Sequence, residues 1–371
     1  MAVIDMTSIA EDMIADMKAI LADVAGVRPA NAVICASHTF SAPHVSGAGQ
    51  APSGTDGVRR AFEAALEAAA KNAVASLRPA RLGFGSGVSR VNVNRDAQTQ
   101  QGWWLGADDA GFTDPTLGML RIDGLDGRPL AILMNHAVQS LIMDGSERAG
   151  GGRLITGDLA GAAARHVEAH YGGETVALFL VGAAGDQAPI LQANRHVVND
   201  DGNVGRIDIH EGGFILVDLL GERLGGEAVR LAEKVKTEQT PTLELRRESV
   251  TVTGLALSPR NAPVGPVVSH LYVEAGPVEV PVVLMHLGDI AFVGVQPELA
   301  ASIGAWIREH SPFPNTIVAT MVDGAAKYMP DAASYDRFNY EARNSPYKKG
   351  TAETAASAIV TLLEDMKNAR N

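Results

Sequence analysis

The chain alternates short apolar runs with longer segments whose apolar residues recur at helical spacing, and few folds accept that pattern. Ala2 to Met6 reads as a strand. Ser8 to Val24 follows with Ile9, Met13, Ile14, Met17 and Ile20 on one helical face. Ala32 to Ala36, Leu130 to Asn135, Val176 to Val181, Ile290 to Val295 and Thr316 to Met321 read as core strands. Leu243 to Leu257 and Val278 to Leu287 alternate and read as antiparallel strands. Gly57 to Leu77, Asp158 to Tyr171, Phe214 to Lys236, Glu298 to His310 and Thr351 to Lys367 read as helices, with Thr156 or Asp158 capping the second. Gly83 to Gly87 reads as turn and bulge glycines, because no Lys-Ser/Thr pair follows to make a phosphate loop. No internal repeat or low-complexity linker interrupts the pattern. The expectation is an α/β fold, a mixed central sheet flanked by helices, in one domain over residues 1–371.

Composition excludes several classes. The net charge is -12 and no Lys/Arg run occurs, which argues against a nucleic-acid partner or adhesion to an anionic membrane. No apolar stretch reaches the roughly 18 residues of a membrane span. The single cysteine, Cys35, can form neither an internal disulfide nor a thiolate metal cluster, and its apolar setting suits a buried residue. The first residues carry Asp5, Glu11 and Asp12 and lack a basic start, so as written the chain reads as cytoplasmic. Self-association is left open.

Five segments that could carry chemistry each follow a strand, where α/β folds place their sites. His38 follows the strand at Ala32 and opens a small-residue loop running to Gly49. Asn135 and His136 end another strand. Gly182 to Pro189 is a small-residue loop holding Asp186, which could orient a histidine or a ligand. Glu298 stands where a strand meets a helix, either as a cap or as a metal ligand. Tyr328 leads a cluster with Tyr335, Tyr340 and Glu341 in a chain that has only 6 tyrosines. Residues 194–213 form a polar insertion near these segments.

Taken in order, the landmarks are Ser37-His38-Thr39, Val91-Asn92-Val93-Asn94-Arg95, Asp114-Pro115, Gly118-Met119-Leu120-Arg121, Asn135-His136-Ala137-Val138 and Gly157-Asp158. They continue through Gly182-Ala183-Ala184-Gly185-Asp186, Gly288-Asp289, Pro297-Glu298 and Ser311-Pro312-Phe313-Pro314 to Tyr328-Met329-Pro330. The ordered set resembles the N-terminal catalytic domain of the neutral/alkaline ceramidase family, as a short divergent bacterial-type member. Such enzymes hold one zinc ion through two histidines, a glutamate and a tyrosine and hydrolyse the amide of N-acylsphingosine. The resemblance implies His38, Glu298 and Tyr328 as ligands; for the second histidine, either His136 takes over or the metal is weakly held or absent. It implies His38, Arg95, His136 and Tyr328 as catalytic residues, and Asn94, Gly182, Asp186 and Tyr340 as substrate-binding ones. Zinc would activate the attacking water, while Tyr328 and Arg95 stabilise the oxyanion.

The chain departs from the family pattern. Phe40 replaces the second histidine of the first block. Gln139 stands where the family's second zinc histidine falls, three residues after His136, and glutamine is a poor zinc ligand. Gly182 replaces a serine. The family's N-terminal segment and its C-terminal β-domain have no counterpart; with a missing leader the chain would be secreted or periplasmic. The expected activity is zinc-dependent hydrolysis of an amide or related acyl bond of a small substrate. A metal-free hydrolase or lactonase on the same fold, using His with Glu or Tyr, and a non-catalytic binding subunit are the alternatives. Ceramide itself is not expected, because 5% aromatic content and no lipid-docking module leave no apolar entry surface.

Overall fold

The computed structural model describes residues 1–45, 55–199, 201, 203–239, 243–257 and 264–369. Residues 46–49 of the loop expected after His38, and residues 200 and 202 of the polar insertion, lie outside the described residues.

The two largest sheets among the described residues are mixed and four-stranded, and smaller two- and three-stranded sheets accompany them. The first orders Ala80–Val88, Thr116–Gly124, Pro129–His136 and Val176–Val181, antiparallel except for the last pair. The second orders Leu243–Leu255, Glu274–Leu287, Ile290–Val295 and Asn315–Ala319, again with only the last pair parallel. The two sheets pack face to face through Leu120, Leu133 and Leu180 against Val283, Phe292 and Ile317. Near-continuous apolar strands follow from this arrangement, since both faces of each sheet are covered.

Helices cover the two outer faces, giving four layers. Asp158–His170 and Gly213–Ala232 pack Leu159, Ala163, Leu220 and Leu224 on the Met119, Ile132 and Met134 side of the first sheet. Ala301–His310 and Thr351–Asn368 pack Ile303, Ile307, Ile359 and Leu363 on the Val282, Leu284 and Val293 side of the second. Asn135 links the two facing sheets, donating from Nδ2 to the carbonyls of Leu180 and Val318, each at 3.1 Å. The α/β class and the flanking helices match the sequence expectation. Among the described residues, no helix is long and apolar enough to cross a membrane.

The glycine run is where local reading and structure part. Residues 83–87 lie inside the strand Ala80–Val88, not in a turn. The glycines serve a close approach: a Cβ on Gly83 would sit 2.3 Å from the Lys236 carbonyl oxygen, and one on Gly85 2.6 Å from a methyl of Val235. Glycine lets the end of the helical layer press onto the strand. Gly83→Ala should therefore destabilise the protein by about 1–3 kcal/mol, since backbone and not a mobile side chain blocks the new methyl. Denaturant unfolding with an unchanged m-value checks this.

Candidate functional site

The site forms where both sheets end. His38 follows the strand Ile34–Ala36 and adopts a left-handed backbone, φ 61°. Its neighbours hold it there: Ser37 donates to Asp5 Oδ1 at 2.7 Å, and Thr39 donates to the Thr156 carbonyl at 2.8 Å. A non-glycine residue with positive φ persists when its surroundings fix it, and such positions cluster at functional sites. His38 Nδ1 lies 2.6 Å from the Thr7 carbonyl, which can only accept, so Nδ1 carries the proton. Nε2 lies 3.0 Å from Glu298 Oε2.

Glu298 is not a helix cap. It belongs to the two-residue strand Glu298–Leu299, paired in parallel register with Tyr328–Met329 so that Glu298 and Tyr328 are direct partners. The helix that follows begins at Ala301, whose N–H donates to Asp186 Oδ1 at 2.8 Å. Asp186 thus takes the capping role, which frees Glu298 to face His38. Gln139 completes the row: its Nε2 donates to Glu298 Oε2 at 2.7 Å, and its Oε1 accepts from Arg95 Nη1 at 2.6 Å. The loop after Gln139 is pinned by Asp158, which accepts from the N–H groups of Ile142 and Met143. The result is a continuous buried chain of side chains, His38, Glu298, Gln139, Arg95 and Glu341.

Arg95 lies inside the protein and donates from Nε to Glu341 Oε1 at 2.7 Å, with Nη2 at 2.6 Å from the same oxygen. Burial alone would lower its pKa, but Glu341, then Tyr328 and Glu298, outweigh it and hold the guanidinium above the ordinary arginine range. Asp96, beside Glu341, is pushed well above the usual carboxylate range by burial and then by Glu341 itself. Glu341 is the ion-pair partner of Arg95. Burial, then Glu298, pushes the Tyr328 phenol up, which leaves it a neutral donor. Its ring lies 5.3 Å from the Arg95 guanidinium.

A cavity of about 1190 Å³ opens beside this chain. Arg95, Tyr328 and Tyr340 reach its wall, as does Phe40, whose ring meets His38 edge-on at 4.8 Å. His38, Gln139 and Glu298 do not line it. Trp104, Ile190, Leu191, Ile207 and Ile209 add apolar wall, and the last four are 38–48% exposed. The expected lack of an apolar entry surface thus does not hold at this mouth.

The other expected site residues are placed as follows. His136 is not brought to the cluster: it stands on the face of its strand opposite Asn135, with Nδ1 2.9 Å from the Thr116 carbonyl and Nε2 buried without a hydrogen-bond partner. Asn94 donates to Asp186 Oδ2 at 3.2 Å and to the Phe112 carbonyl at 3.1 Å, away from the cavity wall. Gly182 packs on the strand end, where a Cβ would lie 3.0 Å from the His136 carbonyl carbon. Tyr340 alone of the expected substrate-binding residues lines the cavity. Glu341 and Thr7 were not foreseen as partners. A buried arginine signals that some carboxylate must pair with it, but nothing local points to Glu341, 246 residues away.

No family model matches the sequence, and no curated protein matches it. Solved structures do. A ceramidase complexed with C2 superposes with a TM-score of 0.75 at 17% identity, over 99% of this chain and 67% of that one. Neutral ceramidase from Pseudomonas aeruginosa superposes with a TM-score of 0.73 at 18% identity, over 98% of this chain and 66% of that one. The chain has the ceramidase fold. It spans about two-thirds of the length of these ceramidase structures.

Zinc, which the ceramidase family implies, does not fit the donors present. Among the described residues no three His, Cys, Asp or Glu side chains gather so as to hold a metal ion. Gln139 fills the place of the second imidazole, its Oε1 is held by Arg95, and an amide Nε2–H donates and cannot ligate. His136, the other candidate ligand, points elsewhere.

Asp186 gives the site a pH signature. Burial raises its carboxyl from 3.8 to about 6, against the Ala301 N–H bond that favours the anion. Because the folded state then binds more protons than the unfolded chain between those values, stability falls as pH rises from about 4 to about 6, by up to about 3 kcal/mol. Asp186→Asn should flatten that slope in denaturant unfolding followed across the same range.

Proposed function

We propose that the chain is a hydrolase that cleaves the acyl–nitrogen bond of a small amphiphile, by general acid–base catalysis without a resident metal. The carrying observation is the pair His38 Nε2 and Glu298 Oε2 at 3.0 Å. With the Nδ1 proton committed to Thr7, these two acceptor atoms face each other, and the contact is favourable only with one proton shared between them. Such a pair can take a proton and return it.

In this reading the acyl chain lies in the cavity and its carbonyl meets Tyr328 and Arg95. Phe40 turns aside to bring the carbonyl to the His38–Glu298 pair. With the shared proton on His38 Nε2, water gives its own proton to the Glu298 carboxylate as its oxygen bonds to the carbonyl carbon. The Tyr328 hydroxyl, neutral at working pH, donates to the developing oxyanion beside the Arg95 charge. When the C–N bond breaks, the pair returns the proton to the leaving nitrogen. Gln139 and Glu341 touch no reacting atom; they hold Glu298 and Arg95 in place.

Two measurements test this with a panel of N-acyl amides. His38→Ala and Tyr328→Phe should each lower kcat at least about 100-fold, while dialysis against chelator leaves wild-type activity unchanged. Gln139→His, which restores the missing imidazole, should make the protein retain about one zinc per chain by metal analysis, where wild type retains none. Loss of wild-type activity in chelator, regained with zinc, would overturn the metal-free mechanism.

A further inference from the structure

The cavity has a charge opposite to that of the molecule. The chain as a whole carries -12, yet Arg95, Arg195, Arg206, Lys327 and Arg343 line the cavity, and among the described lining residues Asp144 is the one carboxylate. Arg95 pairs with Glu341, and Arg206 with Asp144 at 3.1 Å. Arg343 lies 5.1 Å over the Trp104 ring and donates to the Gly265 carbonyl at 2.7 Å. Arg195 and Lys327 are exposed at the wall. The cavity histidines do not offset this: burial, then Arg206, lowers His196 to about 4, and burial, then Arg343, lowers His270. A low-dielectric cavity lined by one sign of charge focuses its field and concentrates ligands of the opposite sign. The same walls are apolar at Trp104, Ile190, Leu191 and Ile207.

We propose that the substrate is an anionic amphiphile, an N-acyl amino acid whose acyl chain lies on the apolar wall and whose carboxylate meets Arg195 and Lys327. This rests on the hydrolase reading above. It accounts for both halves of the wall at once: a neutral acyl amide would bring no counter-charge to the exposed Arg195 and Lys327, and a free small acid would leave the apolar half bare. Arginine is suited to the role because its planar fork matches a carboxylate.

The test compares N-dodecanoylglycine with its carboxamide, N-dodecanoylglycinamide, which differ only in the charge. Binding is measured by calorimetry on His38→Ala, and turnover on wild type. The proposal predicts at least tenfold tighter binding and at least tenfold higher kcat/KM for the carboxylate, with the binding preference shrinking at least threefold at 0.5 M salt and in Arg195→Gln. That variant alters an exposed side chain, so it should fold. Equal or tighter binding of the carboxamide would overturn the proposal, whatever the turnover. So would dodecanoate binding as tightly as dodecanoylglycine, which would assign the site to a fatty acid. A carboxylate preference in binding with hydrolysis of neither compound would uphold the anion site and overturn the hydrolase reading. Equal hydrolysis of both would do the reverse.

Discussion

Arg95 is a cation with almost no access to water, and much of the site is arranged around that fact. A buried charge is tolerated only when it is paired and its donors are satisfied. Glu341 takes one edge of the guanidinium and Gln139 the next. Gln139 in turn fixes Glu298, and Glu298 faces His38. Removing a member would leave a buried donor or charge without its partner, and truncating one half of such a pair is far more costly than replacing both.

The scaffold delivers these residues from distant parts of the sequence because several short strands end beside the two larger sheets. His38 follows one strand, Arg95 lies within the strand Asn92–Thr99, Gln139 comes three residues after the strand Pro129–His136, and Glu298 and Tyr328 form a short ladder of their own. The departures of this chain from the ceramidase pattern then read as a set. Gln139 can bridge a carboxylate and a guanidinium at once, which a histidine with one donor and one acceptor would do in a different geometry. Phe40 presents an apolar face to the cavity and a ring edge to His38. Both changes suit a site held by hydrogen bonds.

Most of the architecture was legible in the sequence because the strands are buried on both faces and the helices on one, so periodicity reports them directly. What local reading missed has identifiable causes. Two sheets look like one when nothing local says which strands pair. The glycines of Ala80–Val88 read as a turn because their cause, the chain at Lys236, is far away in sequence. At the site, His38, Arg95, Glu298 and Tyr328 were found and do come together. His136 was expected there and is not, because one step along a strand reverses the direction of a side chain. From sequence Glu298 fits either a cap or a metal ligand, because the residue that does the capping, Asp186, lies 115 positions before Ala301.

The central claim is that His38 and Glu298 act as one proton-carrying unit, and a double-mutant cycle measures that directly. His38→Ala, Glu298→Gln and the double variant are compared with wild type for kcat on the same acyl amide. If the pair works as a unit, the double variant is no slower than the worse single variant, within about threefold, because the second change removes nothing that the first has left. If the two losses multiply, the residues act independently, and the shared-proton account of this site is wrong.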